Sequence, residues 1–234
     1  MRWMFLLVLF FFEAAGAQTA TSRVVPDIDL PVRDSAGKMY SREAWMDSMK
    51  TGRYIVTNNT AEGYLLLRRI TTEERNLLLS RMPAPPQSPF FRTGSSFPRF
   101  SEKDIEGNRY KLNELKGKVV VLNFWFVDCM PCRKEIPELN ELVARYQHRS
   151  DVVFIAFALD TKGAIGRFLK QVPFNYHIVS NSMALAQRYR INSYPTNVVL
   201  DREGNVAFHT NGYSPGVVSW LGKAINQALN EKPL

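Results

Sequence analysis

The sequence predicts an α/β fold, a mixed central sheet with helices on both faces, preceded by a small N-terminal α+β region. Three observations predict it. Val119–Phe126 and Val152–Leu159 are near-continuous apolar runs of strand length, the pattern of strands covered on both faces. Between them, Arg133–Val143 places Ile136, Leu139, Leu142 and Val143 along one side of a helix. Strand, helix, strand in that order is a parallel crossover, which puts both strands at the centre of the sheet. Further on, Thr196–Leu200 and Val206–His209 flank the turn residues Asp201-Arg202-Glu203-Gly204-Asn205, a hairpin that adds an antiparallel component.

The elements follow in order. Met1-Arg2 is a positive start, Trp3–Phe12 an uninterrupted apolar run, and Ala15-Gly16-Ala17 a small-x-small cleavage pattern. Together they read as a secretory signal peptide over residues 1–17. The apolar run is shorter than the ~20 residues a membrane span needs, and Glu13 ends it. The chain is therefore expected to be exported, periplasmic or otherwise, and soluble once cut. Residues 18–82 form a region whose role the sequence does not state. Val32–Tyr40 suits a hairpin around Ser35-Ala36-Gly37, Ser41 caps a helix through Met49, and Arg53–Thr57 and Tyr64–Ile70 suit strands. Thr71 and Glu74 form a capping-box pattern ahead of a short helix with Leu77, Leu78 and Leu79. The run Pro83-Ala84-Pro85-Pro86-Gln87-Ser88-Pro89 is stiff and poor in backbone donors, so 83–96 is expected to be a linker and 97–234 the larger domain. Within that domain Asp104–Asn108 reads as a turn, and Cys129 to about Tyr146 as a helix kinked at Pro137. Lys162–Gln171 and Ala184–Tyr189 suit helices, and Tyr176–Val179 a short strand. Ser214-Pro215 starts a last helix whose apolar face holds Val218, Leu221, Ile225 and Leu229.

The 234 residues carry a net charge of +8. A basic balance can mark a nucleic-acid or anionic membrane surface. Here the basic residues are dispersed and no basic tract interleaves with aromatics, so no nucleic-acid partner is expected. Two cysteines are too few for a disulfide scaffold. His148, His177 and His209 are scattered, and a structural zinc takes four ligands. Neither metal nor cofactor is expected, and the histidines read as surface or half-buried residues.

The two cysteines fall in Cys129-Met130-Pro131-Cys132, at the junction of the first apolar strand and the amphipathic helix. A disulfide closing so short a loop would constrain the unfolded chain little. A Cys-x-x-Cys pair at such a junction reads instead as redox-active. Cys129, at or just before the first helical turn, meets free N–H groups and the positive end of the helix dipole, which favour its thiolate. Cys132 lies one turn on and is expected to be more buried. The pattern casts Cys129 as the attacking sulfur and Cys132 as the one that resolves the mixed disulfide. Pro131 presets the first turn. Met130 is apolar and adaptable, able to contact a partner or simply to lie exposed.

Gly117-Lys118-Val119-Val120-Val121-Leu122-Asn123-Phe124-Trp125, then Cys129 through Pro137, with Tyr194-Pro195-Thr196 and Asp201-Arg202-Glu203-Gly204 behind them, resembles the TlpA/ResA-like thiol-disulfide oxidoreductases of the thioredoxin superfamily. The resemblance runs from about Phe97 to Leu229. It implies a thioredoxin-like fold, a cis peptide before Pro195 beside the cysteines, and a Tyr194 backbone that pairs with bound substrate as a short added strand. It implies catalytic roles for Cys129 and Cys132, and substrate contacts at Met130, Pro131, Tyr194 and Pro195. Disulfide-containing exported proteins are the implied substrates, with a membrane electron donor to keep the pair reduced. The chain also departs from the pattern. Many members carry Trp where Asp128 stands, and a carboxylate there opposes the Cys129 thiolate unless solvent screens it. Asn123 occupies the place of thioredoxin's buried Asp, and no acid lies between the cysteines. Glu135 is the nearest acid in sequence and is expected on the helix surface, solvated or ion-paired. Trp125 is expected to pack under the active-site loop, and Asp160 to be a turn residue. Two other functions stay open. A thiol peroxidase of this fold needs Thr three residues before its reacting Cys, where Phe126 stands. A metallochaperone or binding module would have His209 as a distant ligand candidate.

Overall fold

The structure is a computed structural model and describes residues 30–50, 52–59 and 62–230; the expected signal segment 1–17 lies outside them. The chain divides into two compact units, Met1–Arg69 and Ile70–Leu234.

In the first unit, β1 (Val32–Arg33), β2 (Met39–Tyr40), β3 (Tyr54–Asn59) and β4 (Tyr64–Arg69) make a sheet in the order β2-β1-β4-β3. The β1–β2 turn forms as expected: the Asp34 carboxylate accepts the N–H groups of Ala36 and Lys38, and Gly37 supplies a φ of 84°. Helix α1 (Arg42–Lys50) starts where Ser41 Oγ accepts the Ala44 N–H. Alternation along β4 buries Leu65 and Leu67 with Val32, and Trp45, Tyr54 and Val56 pack around them.

The second unit opens with α2 (Thr72–Ser80), capped as its sequence predicts. Thr71 Oγ1 accepts the Glu74 N–H, and the Glu74 carboxylate accepts the Thr71 N–H. Then come β5 (Ser101–Lys103), β6 (Arg109–Lys111), β7 (Val119–Trp125), α3 (Met130–Arg145), β8 (Val152–Ala158), α4 (Lys162–Leu169), β9 (His177–Val179), α5 (Met183–Arg188), β10 (Thr196–Leu200), β11 (Val206–Asn211) and α6 (Val217–Ala228). β5 and β6 form a hairpin. The other five strands form one mixed sheet in the order β11-β10-β7-β8-β9, with β7, β8 and β9 parallel and β10 antiparallel to β7.

The crossover logic therefore holds: β7 is central and every one of its side chains is buried. Its odd-numbered residues Val119, Val121 and Trp125 join a core with Ile136, Leu139 and Leu142 of α3, Ile165 and Phe168 of α4, and Leu221 and Ile225 of α6. Its even-numbered residues Val120, Leu122 and Phe124 join a second core on the other face with Phe97, Phe157, Leu185 and Tyr189. This is the thioredoxin-like α/β architecture.

Two local expectations are revised. The last helix begins at Val217, not at Ser214-Pro215, because Gly216 sits in the left-handed region with φ 89° and ends the preceding turn. Side-chain carbon added at Gly216 would also meet Met82 Sδ at 3.2 Å. The division into compact units falls at Arg69/Ile70, ahead of the Pro-rich run, and residues 83–96 lie along β11. Thr210 Oγ1 donates to the Pro86 carbonyl at 2.8 Å, Ser88 Oγ meets His209 Nδ1 at 3.0 Å, and Gly94 N–H and the Ser95 carbonyl bond Val206. A proline-rich segment lacks donors but keeps its carbonyls and its extended shape, which suits it to strap a strand edge.

Candidate redox site

β7 delivers the chain at Trp125 into a short loop, Phe126–Asp128, and α3 begins immediately after Cys129. The loop is tied at both ends. The Leu159 N–H donates to the Trp125 carbonyl at 3.1 Å, the Cys129 N–H to the Phe126 carbonyl at 3.1 Å, and the Val127 N–H to Asp160 Oδ2 at 2.8 Å. Asp160, expected as a turn residue, thus anchors the loop that carries the cysteines. Trp125 is fully buried beneath it, against Phe168 and Phe174.

Cys129 is the N-cap of α3. Its Sγ accepts the Cys132 N–H at 3.2 Å, and Pro131 occupies the first turn, where a missing N–H costs nothing. The two sulfurs are joined as a disulfide, with the Cα atoms 5.2 Å apart. The expected difference in burial is absent: Cys129 is 3% exposed and Cys132 2%. What distinguishes them is the N-cap position, where helix N–H groups and the dipole favour a negative sulfur at Cys129. Met130, 60% exposed, is the apolar side chain the site presents to solvent. Asp128 is exposed as well, so water screens its charge.

The Tyr194–Pro195 peptide is cis and leads straight into β10, beside β7. The Tyr194 ring packs edge-on against Phe126 at 5.5 Å between centroids, and its hydroxyl donates to the Ile191 carbonyl. The contact brings the Pro195 loop against the loop before Cys129. Cys129, Met130, Pro131, Cys132, Tyr194 and Pro195 are therefore assembled at one end of the sheet.

Glu135 corrects the expectation made for it. It is not a surface residue; it is completely buried. The signal is present in the sequence. Cys132, Glu135, Ile136, Leu139 and Leu142 fall on one helical stripe, and all five are buried. Asn197 Nδ2 donates to Glu135 Oε1 at 2.9 Å, and Asn123 Nδ2 reaches Glu135 Oε2 at 3.5 Å. Asn123 Nδ2 also donates to Asn197 Oδ1 at 2.9 Å. Burial pushes the Glu135 carboxyl up to about 8, against the pull of the Asn197 amide. The acid that Asn123 cannot itself supply is thus brought over Asn123 by the helix, one turn beyond Cys132. Sequence reasoning does not single out Asn197.

His209 is the other revision: it is buried, with Nδ1 against Ser88 and its ring edge-on to Phe91. Among the described residues no group of three or more His, Cys, Asp or Glu could hold a metal ion. None of the helices described is long and apolar enough to cross a membrane.

Residues 93–209, half of the chain, match the AhpC/TSA family. The chain belongs to the AhpC/TSA family. A thiol-disulfide oxidoreductase ResA of Bacillus cereus is 33% identical over 114 residues, 48% of this chain and 66% of that protein. The thioredoxin-like protein YneN of Bacillus subtilis is 33% identical over 113 residues, 47% of this chain and 66% of the relative. The chain thus spans just under two thirds of the length of these curated relatives. Among solved structures, a putative thiol:disulfide interchange protein DsbE from Chlorobium tepidum is similar with a TM-score of 0.54 at 30% identity, covering 59% of this chain and 99% of that one. A putative protein disulfide isomerase from Bacteroides thetaiotaomicron gives 0.56 at 27% identity, covering 60% and 92%.

This AhpC/TSA family member thus holds a cysteine pair at a helix N-terminus, a cis-proline loop packed against the loop that precedes the pair, and a buried carboxylic acid one turn away. Such a set can do three things. It can stabilise one thiolate, exchange a disulfide with a chain laid along the loop, and move the proton of the second thiol.

Proposed function

We propose that the protein is an exported thiol-disulfide oxidoreductase that reduces disulfides of other exported proteins. The observation that carries this reading is the Cys129–Cys132 disulfide at the α3 N-terminus with Glu135 buried beside it. In the dithiol form the Cys129 thiolate attacks a substrate disulfide; that S–S bond breaks, and the departing sulfur takes a proton. A mixed disulfide joins Cys129 to the substrate. Cys132 gives its proton to the Glu135 carboxylate and attacks Cys129 Sγ. The Cys129–substrate S–S bond breaks, the second substrate sulfur leaves as a thiolate that takes a proton from water, and the pair is left as a disulfide over a protonated Glu135. Two electrons have passed to the substrate. A membrane thiol donor restores the dithiol, and Glu135 returns its proton as Cys132 is released. Met130, Pro131, Tyr194 and Pro195 contact the substrate, the Tyr194 backbone pairing with it as an added strand.

Expected results are loss of disulfide reduction in Cys129→Ser and accumulation of trapped mixed disulfides in Cys132→Ser. Wild-type rates in both variants would remove the reading. The direction is tested by the reduction potential against glutathione: a value near thioredoxin's supports a reductase, and one near that of DsbA supports an oxidant. A thiol peroxidase is disfavoured because Phe126, three residues before Cys129, carries no hydroxyl and is packed on Tyr194. Rapid consumption of micromolar peroxide would reinstate it. A metal carrier using His209 is disfavoured because that ring is buried against Ser88.

A further inference from the structure

Asn123 and Asn197 are two uncharged amides, 1% and 0% exposed, on the neighbouring strands β7 and β10 of the central sheet. Burying such groups is unfavourable unless every hydrogen-bonding atom is used. They stand directly opposite each other in the β7–β10 pair, so both amides project from the same face toward α3. The donors run in one direction. Asn123 Nδ2 donates to Asn197 Oδ1, which occupies that oxygen and leaves Asn197 Nδ2 pointing at Glu135 Oε1. Asn123 Nδ2 also approaches Glu135 Oε2, at the longer distance of 3.5 Å. The chain of donors ends on a carboxylate. An ionised carboxylate only accepts hydrogen bonds, whereas a protonated one must also place an O–H. The arrangement therefore favours the ionised form and opposes the burial that favours the protonated one.

We propose that Asn197, oriented by Asn123, is a positioning residue that sets the pH at which Glu135 exchanges a proton with Cys132. The proposal rests on the oxidoreductase reading for its purpose, but the clamp itself can be tested without it. With Asn197 in place, burial is partly offset and Glu135 changes protonation at about pH 8. Without it, burial and the charge of Glu138 are opposed only by the weak Asn123 contact, and the acid stays protonated further into the alkaline range. It then cannot accept the Cys132 proton, and the mixed disulfide resolves slowly at neutral pH. Asn123 acts at one remove. Its loss frees the Asn197 amide to rotate and removes a weak second donor, so its effect has the same sign and a smaller size.

The direct test is the titration of the Glu135 carboxyl carbon by NMR in the full-length oxidised protein, in which neither cysteine titrates. The signal is assigned by its loss in Glu135→Gln. Asn197→Leu is expected to raise the midpoint by roughly one pH unit, the size of shift that loss of a strong hydrogen bond to a carboxylate produces. Asn197→Thr, whose hydroxyl can still donate, is expected to return most of that shift. An unchanged midpoint in a folded Asn197→Leu protein overturns the proposal, and so does a fall. Should Asn197→Leu not fold, Asn123→Val carries the test, with a smaller rise expected and no rise overturning it. The second readout is the pH profile of disulfide reduction with oxidised glutathione as substrate. Its acid-side midpoint, where Glu135 ionises, should rise in Asn197→Leu, and Asn197→Leu should add nothing in a Glu135→Gln background. Variant midpoints that shift in the NMR titration, alongside a wild type without reductase activity, would remove the function and keep the clamp. An active wild type with unshifted variants would remove the clamp and keep the function.

Discussion

At the scale of single residues, Glu135 dominates. Its folded-state pKa is about 8 against an ordinary 4.5, so the folded protein holds a proton that the unfolded chain releases. Stability on this account is full below pH 4.5, falls as the pH rises from 4.5 to about 8, and levels off above. Glu135→Gln carries no such titration. Its stability advantage over the wild type should therefore open between those limits and reach on the order of a few kcal/mol at alkaline pH, measured by urea unfolding across the range. A constant difference at all pH values would mean that Glu135 is not the titrating group. The cysteines are legible in the sequence because their spacing and neighbours carry the signal, whereas Tyr194 and Pro195 stand out only through the resemblance to a known family. Glu135 is visible there as an acid, and residue type alone assigns it to the surface, although the helical stripe it shares with Ile136 and Leu139 points inward. Asn197 is illegible because it opposes Asn123 only through strand register, which no local pattern encodes.

At the scale of elements, α2 shows how a helix outside the central sheet is held. Its capping box directs the start of the helix, and Arg75 bridges Glu138 at 2.9 Å and Glu141 at 3.6 Å on α3. Arg75 and Glu138 are only 16% and 18% exposed, and Tyr213 donates to the same Glu138 carboxylate. Burial pushes the Glu138 carboxyl up while Arg75 pulls it back. Arg75→Met keeps the stem and removes the charge, leaving Glu138 half-enclosed without its cation. A loss of about 1–2 kcal/mol is expected, between the values for exposed and fully buried pairs. The denaturation midpoint measures it, and a double variant with Glu138→Gln should recover most of the loss. The short helix is legible from its cap. Its docking on α3 is not, because the ion pair joins residues far apart in the chain.

At the scale of the whole molecule, the strap 83–96 changes where the functional unit starts. The sequence pattern suggests a linker there, yet Pro86, Ser88, Gly94 and Ser95 all bond β11 or its side chains, and the compact unit begins at Ile70. A chain reduced to residues 70–234 is therefore expected to unfold in one cooperative transition and to reduce disulfides at the full-length rate. One reduced to 97–234 should be less stable, having lost α2 and the bonds along β11. Equal stability of the two, by thermal unfolding, would mean that the strap contributes nothing. The apolar strands announce the sheet plainly. The strap stays hidden because a proline-rich run reads the same whether it hangs free or lies against a partner.

That strap also bears on how the protein behaves in a crowd. A sheet with open margins invites edge-to-edge aggregation. Here one margin is occupied by Gly94 and Ser95 on β11, and at the other the Ile105 N–H donates to the Ile178 carbonyl on β9. Sister molecules gain little by stacking their sheets. On the proposed function, a client chain bound at Tyr194 would find little hold on the fold's outer strands to keep it once the exchange is done.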